Sequence, residues 1–129
     1  MNKILVEVSV GELLDKISIL EIKKEKIKDS VKLKFINDEH VILKGQLDQN
    51  VKSDDKLNSL FQCLKEINAK LWVIEDDKRM CEKNSDFTKN FIKLSRDVHF
   101  LNDNRAKIKL EINNHTDSKI KEIKEYTSY

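Results

Sequence analysis

Between Leu57 and Cys81 the residues Leu57, Leu60, Leu64, Ile67, Leu71, Ile74, Lys78 and Cys81 follow one another at alternating steps of three and four without a slip. Such spacing holds one stripe of a helix against a single partner, in the manner of a coiled coil, over a length of about 40 Å at ~1.5 Å per residue. A second series of the same kind follows: Phe87, Phe91, Leu94, Val98, Leu101, Arg105, Ile108 and Ile112. The polar break KNSD at 83–86 lies between them. Two seams of equal length joined by a short turn describe an antiparallel helical hairpin. The chain has no proline and only two glycines, Gly11 and Gly45, so it lacks the turn chemistry of an all-β fold.

The flanking segments extend the pattern. Ser9 and Glu12 form a capping box, with the Ser9 hydroxyl accepting from the Glu12 N–H and the Glu12 carboxylate returning to the Ser9 N–H. The helix that starts there has the seam Val10, Leu13, Ile17, Leu20, Lys24 and Ile27 and ends near Asp29 and Ser30. A less regular helix spans about 31–47, with Phe35, Ile36, Ile42, Leu43 and Leu47 on its apolar side. The polar run DQNVKSDD at 48–55 reverses the chain. Ahead of these helices, Ile4, Val6 and Val8 alternate with Leu5 and Glu7 at the two-residue period of an extended strand. One strand is not stable by itself, so it lies along the helices or pairs with its copy in a homodimer. After NNHTDS, the tail KIKEIKEYTSY predicts one or two more helical turns, with Ile120 and Ile123 docked beside Tyr126. The expected fold is all-α: an antiparallel bundle of three to four long helices with a short N-terminal extended strand, in a single domain over 1–129.

Composition narrows the class of function. Charged residues make up 37% and hydrophobic residues 39% of the 129-residue chain, a balance suited to amphipathic helices. The formal net charge is only +2 and lysine is interleaved with glutamate, so nucleic acid is not an expected partner. No apolar run is long enough for membrane insertion, and Glu7 interrupts the N-terminal one too early for a signal peptide. Cys63 and Cys81, about 27 Å apart on one helix at ~1.5 Å per residue, cannot form a disulfide. They read as small core residues with free thiols, which fits a cytoplasmic protein.

The chemistry-bearing oddity is that three apolar seams each hold a cation: Lys24, Lys78 and Arg105. A buried unpaired charge costs several kcal/mol, so each must be paired or must reach water. Glu21 stands one turn before Lys24, Glu75 and Glu82 flank Lys78, and Asp103 neighbours Arg105. Lysine outnumbers arginine 22 to three, so Arg79, Arg96 and Arg105 mark positions where a planar two-pronged donor is wanted. The candidate polar layer is Glu21, Glu75, Asp76, Arg79, Glu82, Asn102, Asp103 and Arg105. The carboxylates of this layer also suit Mg²⁺ held together with a ligand's phosphate; no resident cofactor or metal is expected. His40, His99 and His115 make no metal set, glycine-rich phosphate loops are absent, and no nucleophile–base pair can be assembled. Catalysis is therefore neither assigned nor excluded. Glu111 and His115, four apart, read as a surface pair, and Trp72 as core or edge packing.

The segments VEVSVGELLDKISILEIK (6–23), LWVIEDDKRMCE (71–82), FIKLSRDVHFLNDNRAKIKLEIN (91–113) and the closing SKIKEIKEYTSY resemble the DUF6165 family of small bacterial proteins of unknown function. The polar positions that match its pattern are Glu12, Asp15, Lys16, Glu21, Glu75, Asp76, Asp77, Arg79, Glu82, Arg96, Asn102, Asp103 and Arg105. Lys78 stands where an aliphatic residue is usual, which favours an outward-reaching ammonium there. Members often lie near genes for surface-polysaccharide assembly. The long heptad seams, the N-terminal strand and the lack of a complete catalytic set point to an accessory or interaction protein, a homodimer, and the resemblance adds the setting in which it would scaffold or regulate partners, cell-envelope glycan biosynthesis. The alternative expectation is a small enzyme or binding protein for an anionic molecule, bearing phosphate or carboxylate, in a polar pocket between helices. A weaker similarity, to helical chorismate mutases, lacks the leading arginine of their first helix.

Overall fold

The computed structural model describes residues 2–129. It contains four helices, α1 (Val10–Lys26), α2 (Ser30–Asn50), α3 (Asp55–Lys83) and α4 (Lys89–His115), and no strand among the described residues. The expected N-terminal strand is thus corrected. Residues 2–8 are non-helical and exposed, because no second strand offers their backbone a hydrogen-bonding partner. The expected helix in the tail is also absent: residues 118–129 carry no regular structure, and Ile123 is exposed. Asp117, with φ at 50°, turns the chain out of the α4 axis, and Thr116 and Ser118 close the last turn through N–H groups given to the carbonyls of Ile112 and Asn113.

Local chemistry explains the helix starts. Ser9 Oγ accepts from Glu12 N–H at 3.0 Å, Asp29 Oδ1 from Val31 and Lys32, and Asp54 Oδ1 from Leu57 at 2.7 Å. Each side-chain oxygen satisfies donors that a helix N-terminus leaves without an intrahelical partner. The Ser9 half of the capping box forms as expected. Glu12 does not return to Ser9, because its carboxylate is taken by Lys109.

The seams of α3 and α4 meet as antiparallel neighbours. At one end His115 Nε2 lies 2.8 Å from Asp54 Oδ2, and at the other Asn90 Nδ2 reaches Cys81 Sγ at 3.7 Å. His115 thus pairs with the α3 cap and not with Glu111. Leu57, Leu60, Leu64, Leu71 and Cys81 are buried, whereas Cys63, expected in the core, is exposed.

Helix α1 occupies the centre. It packs against α2, α3 and α4, whereas α2 packs along α1 alone. Leu14 joins Leu57, Leu60, Leu64 and Ile112 in one buried apolar cluster. Because three helices touch α1, its buried residues spread around the cylinder to Asp15, Ile17, Ser18, Leu20 and Ile22 instead of keeping to one stripe. Its N-terminus is bolted to the end of α4: Gly11 N–H donates to Asn113 Oδ1 at 2.7 Å and Val10 N–H to Ser118 Oγ at 3.1 Å. Helix α2 has one buried residue, Ile36, and leaves Val31, Phe35, Val41 and Ile42 exposed. Among the described residues no helix is long and apolar enough to cross a membrane.

The contact at Gly11 makes a sharp test. A Cβ there would stand 2.6 Å from the Lys109 carbonyl oxygen and 2.9 Å from Asn113 Oδ1, whereas a Cβ on Gly45 meets nothing within 4 Å. Gly11→Ala is expected to cost about 2–3 kcal/mol through backbone displacement and a strained buried hydrogen bond. Gly45→Ala is expected to gain about 0.5–1 kcal/mol from helix propensity. Urea unfolding followed by circular dichroism compares the two.

Candidate functional site

The most demanding group in the molecule is a carboxylate inside α1. Asp15 is 2% exposed, and burial alone would push its carboxyl pKa up. Arg105 of α4 answers with both prongs of its guanidinium, Nε to Oδ1 at 2.9 Å and Nη2 to Oδ2 at 2.5 Å. Asn68 of α3 gives one amide hydrogen to Asp15 Oδ1 and the other to Ser18 Oγ, each at 2.8 Å. Ser18 Oγ in turn donates to the Asp15 carbonyl at 2.7 Å. These donors, with the charges of Arg105 and Lys109 behind them, outweigh burial and hold the Asp15 carboxyl below its ordinary range. Arg105 keeps spare N–H groups, since Nη1 has only a 3.5 Å contact with Asn102.

A second cation sits beside the pair. Lys109 is buried, with its ammonium 2.7 Å from Glu12, 3.4 Å from Glu122 and 4.0 Å from Asp15. Three helices and the C-terminal segment therefore meet in one continuous polar layer around the middle of α1.

Open space lies on both sides of Arg105. On the α3 side a cavity of about 330 Å³ is walled by Ile19, Ile22, Leu71 and Trp72 and edged by Asn68, Glu75, Asp76, Arg79 and Arg105. Four residues of the sequence-selected layer, Glu75, Asp76, Arg79 and Arg105, are thus brought together. Among the described residues Glu75, Asp76 and Arg79 take part in no ion pair. On the opposite side Asn102, Asp103 and Arg105 line a larger cleft beneath the C-terminal segment.

Other members of the layer go elsewhere. Glu21 faces α2 and α3, pairing with Lys65 at 3.4 Å and standing 3.6 Å from His40. Glu82 is exposed near the end of α3 and lines neither space. The pairings expected from sequence neighbours are corrected as well. Arg105 takes Asp15 and not Asp103, and Glu21 takes Lys65 and not Lys24. The Lys78 ammonium lies 5.8 Å from the Phe91 ring centroid, an interaction of cation with ring face.

Sequence reasoning left Asn68, Ser18 and Lys109 unmarked and did not place Asp15 in the candidate layer. A signal was present: Gly11, Asp15, Ser18 and Ile22 repeat at steps of four, three and four, and Leu64, Asn68 and Leu71 do the same on α3. The α1 stripe faces α3 and α4, and Asn68, set between the seam residues Leu64 and Leu71, faces it from α3. Gly11, Asp15, Ser18 and Asn68 are small or polar, so a search for apolar periodicity passes over them. Among the described residues no three His, Cys, Asp or Glu side chains are grouped to hold a metal ion.

The class so defined is an all-helical domain of four helices, with a buried carboxylate held by a half-buried guanidinium and open space on either side of that guanidinium. The chain belongs to the family of unknown function DUF6165, whose model matches residues 4–129. No curated protein and no solved structure matches it.

The pair sets a pH dependence. A carboxyl whose folded pKa is depressed contributes stability that is complete above its unfolded pKa of about 3.9 and is lost as pH falls through the lower folded value. Asp15→Asn is expected to cost about 3 kcal/mol at pH 7, because it leaves Arg105 without its counter-charge. The difference between variant and wild type should shrink as pH falls below about 4. Urea unfolding at pH 7, 5 and 3 measures it; a difference unchanged across that range would show that the carboxylate charge contributes nothing.

Proposed function

We propose that this chain is a binding domain that holds a small anionic molecule, bearing phosphate or carboxylate, in the cavity between α1, α3 and α4. One observation carries this: Glu75, Asp76, Arg79 and Arg105 edge a single cavity, and the first three are in no ion pair among the described residues. An arginine left unpaired beside a concave, mostly apolar space is a donor for an oxyanion. Trp72 supplies a flat apolar wall, and Glu75 and Asp76 accept from hydroxyl or amine groups of the ligand. The two carboxylates are too few to retain Mg²⁺ alone, so the ion enters with the phosphate of a ligand. With no nucleophile–base pair at the cavity, binding is the activity assigned.

The test is a thermal-shift screen of nucleotides, nucleotide sugars and dicarboxylates, with and without Mg²⁺. A true ligand at a hundredfold over its Kd stabilises the native state by about 2.7 kcal/mol. Arg79→Ala should leave the unliganded stability within about 0.5 kcal/mol, because the side chain is exposed, yet abolish the shift. A shift of equal size in wild type and variant would place the ligand elsewhere.

A second reading concerns assembly and rests on a different observation. Ile4, Leu5 and Val6 are 91%, 87% and 75% exposed, and Phe35 on the outer face of α2 is 70% exposed. Burying an aliphatic side chain yields about 1.5–3 kcal/mol, so an arm of this composition gains by pairing. We propose that two copies join their arms antiparallel about a two-fold axis, which supplies each arm with the strand partner that its own chain lacks. Such a homodimer, in the bacterial cytoplasm where the exposed Cys63 stays reduced, suits the scaffolding role near cell-envelope glycan synthesis. Light scattering at micromolar concentration should give a dimer for the wild type and a monomer for Val6→Glu. A wild-type monomer that captures no glycan-synthesis enzyme would end this reading.

A further inference from the structure

The C-terminal segment was expected to add a helical turn, and it does something else. After Ser118 the chain runs back along α4 without regular structure and is pinned to it at two points. Near its start the Glu122 carboxylate reaches the buried Lys109 at 3.4 Å. At its end the Tyr129 ring meets Phe100 edge-on with centroids 5.6 Å apart, and the Tyr129 hydroxyl donates to Asp103. Between the pins lies a cleft of about 790 Å³, the largest of the spaces described above, within the ~300–1,000 Å³ common for small-molecule sites.

The two ends of this cleft differ in chemistry. One end is aromatic, with Phe100 and Tyr129 in contact and the Arg96 guanidinium 6.0 Å over the Phe100 ring. The other is basic. Lys109 and Lys124 both direct their ammonium groups to Glu122, the second at 2.6 Å. The two lysines thus form a cradle for an oxyanion, and an exposed tail carboxylate fills it. Lys124 and Lys109 hold the Glu122 carboxyl below its ordinary range.

We propose that this cleft binds a nucleotide, with the base against Phe100 and Tyr129 and a phosphate displacing Glu122 from between Lys109 and Lys124. A flat ring joined through a spacer to a phosphate matches a site that is aromatic at one end and carries two ammonium groups at the other, Lys124 and a Lys109 that Glu12 also holds at 2.7 Å. A phosphate brings more charge and more acceptor oxygens to the two ammonium groups than a carboxylate does, so displacement is favourable. Glu122 is then a built-in competitor that occupies the space between the two ammonium groups until the nucleotide arrives. The site is separate from the α1–α3–α4 cavity, since Arg105 is the one side chain common to the two linings.

Isothermal titration of the full chain with ADP, pyrophosphate and adenosine separates the contributions of ring and anion. ADP should bind about tenfold or more tightly than either part alone, and Glu122→Gln should tighten ADP by about tenfold by removing the competitor. Lys124→Ala and Tyr129→Ala should each weaken ADP by about tenfold, while Arg79→Ala leaves it unchanged. All but Arg79 lie in the exposed segment outside the helices, and circular dichroism confirms that each variant is folded. The proposal is overturned if ADP binds neither wild type nor Glu122→Gln, or if pyrophosphate binds as tightly as ADP. It is also overturned if Arg79→Ala abolishes binding that Lys124→Ala retains, which would assign the ligand to the other cavity.

Discussion

A carboxylate placed inside a helix that three other helices cover has to be answered from outside that helix, and most of this architecture follows from how Asp15 is answered. Its two oxygens take a guanidinium from α4 and an amide from α3, with an ammonium from α4 behind them. No register that slides α3 or α4 by a turn keeps those donors in reach. The apolar cluster of Leu14, Leu57, Leu60, Leu64 and Ile112 supplies driving force, but leucines accept many neighbours. An ion pair of this kind contributes little net stability over a hydrophobic substitute. Its effect is to penalise alternatives, since every misaligned packing strands a buried charge.

The same layer ties the ends of the chain together. Gly11 lets the start of α1 approach the α4 backbone closely enough for Asn113 and Ser118 to take up its free N–H groups. Glu12 extends this contact to Lys109, and Lys109 extends it to Glu122 in the tail. Helix α2 stands outside this network. It is attached through α1 alone and buries little, so it is the element whose opening costs least.

How much of this was legible in the sequence depends on how many partners an element has. Each of α3 and α4 offers its main seam to the other, so a single heptad series located both helices and the turn between them. Helix α1 has three partners, and its apolar series named only one of the buried faces. The decisive stripe, Gly11–Asp15–Ser18–Ile22, is periodic without being hydrophobic. Glu75, Asp76 and Arg79 could be grouped because they lie within five residues on one helix. The partner of Arg105 could not, because Asp103 is two residues away in sequence and Asp15 is ninety, and chain distance says nothing about which carboxylate a folded α4 faces. The tail misled for a local reason: KIKEIKEY is helix-like in composition, but Asp117 leaves the helical region and too few apolar residues follow to hold another turn against the bundle.

Arg105 has one further consequence, which comes from its position. Its guanidinium forms part of the wall between the Trp72 cavity and the cleft under the C-terminal segment. Two of its N–H groups are committed to Asp15, and that commitment fixes the plane of the fork. The remaining donors are therefore presented in fixed directions rather than swung toward whichever side is occupied. A ligand that draws on them from one side competes with a ligand on the other for the same hydrogens. A ligand that pulled the guanidinium away would uncover Asp15, at the cost of several kcal/mol for an unanswered buried charge. The pair with Asp15 thus limits how far the Arg105 guanidinium can move toward either space.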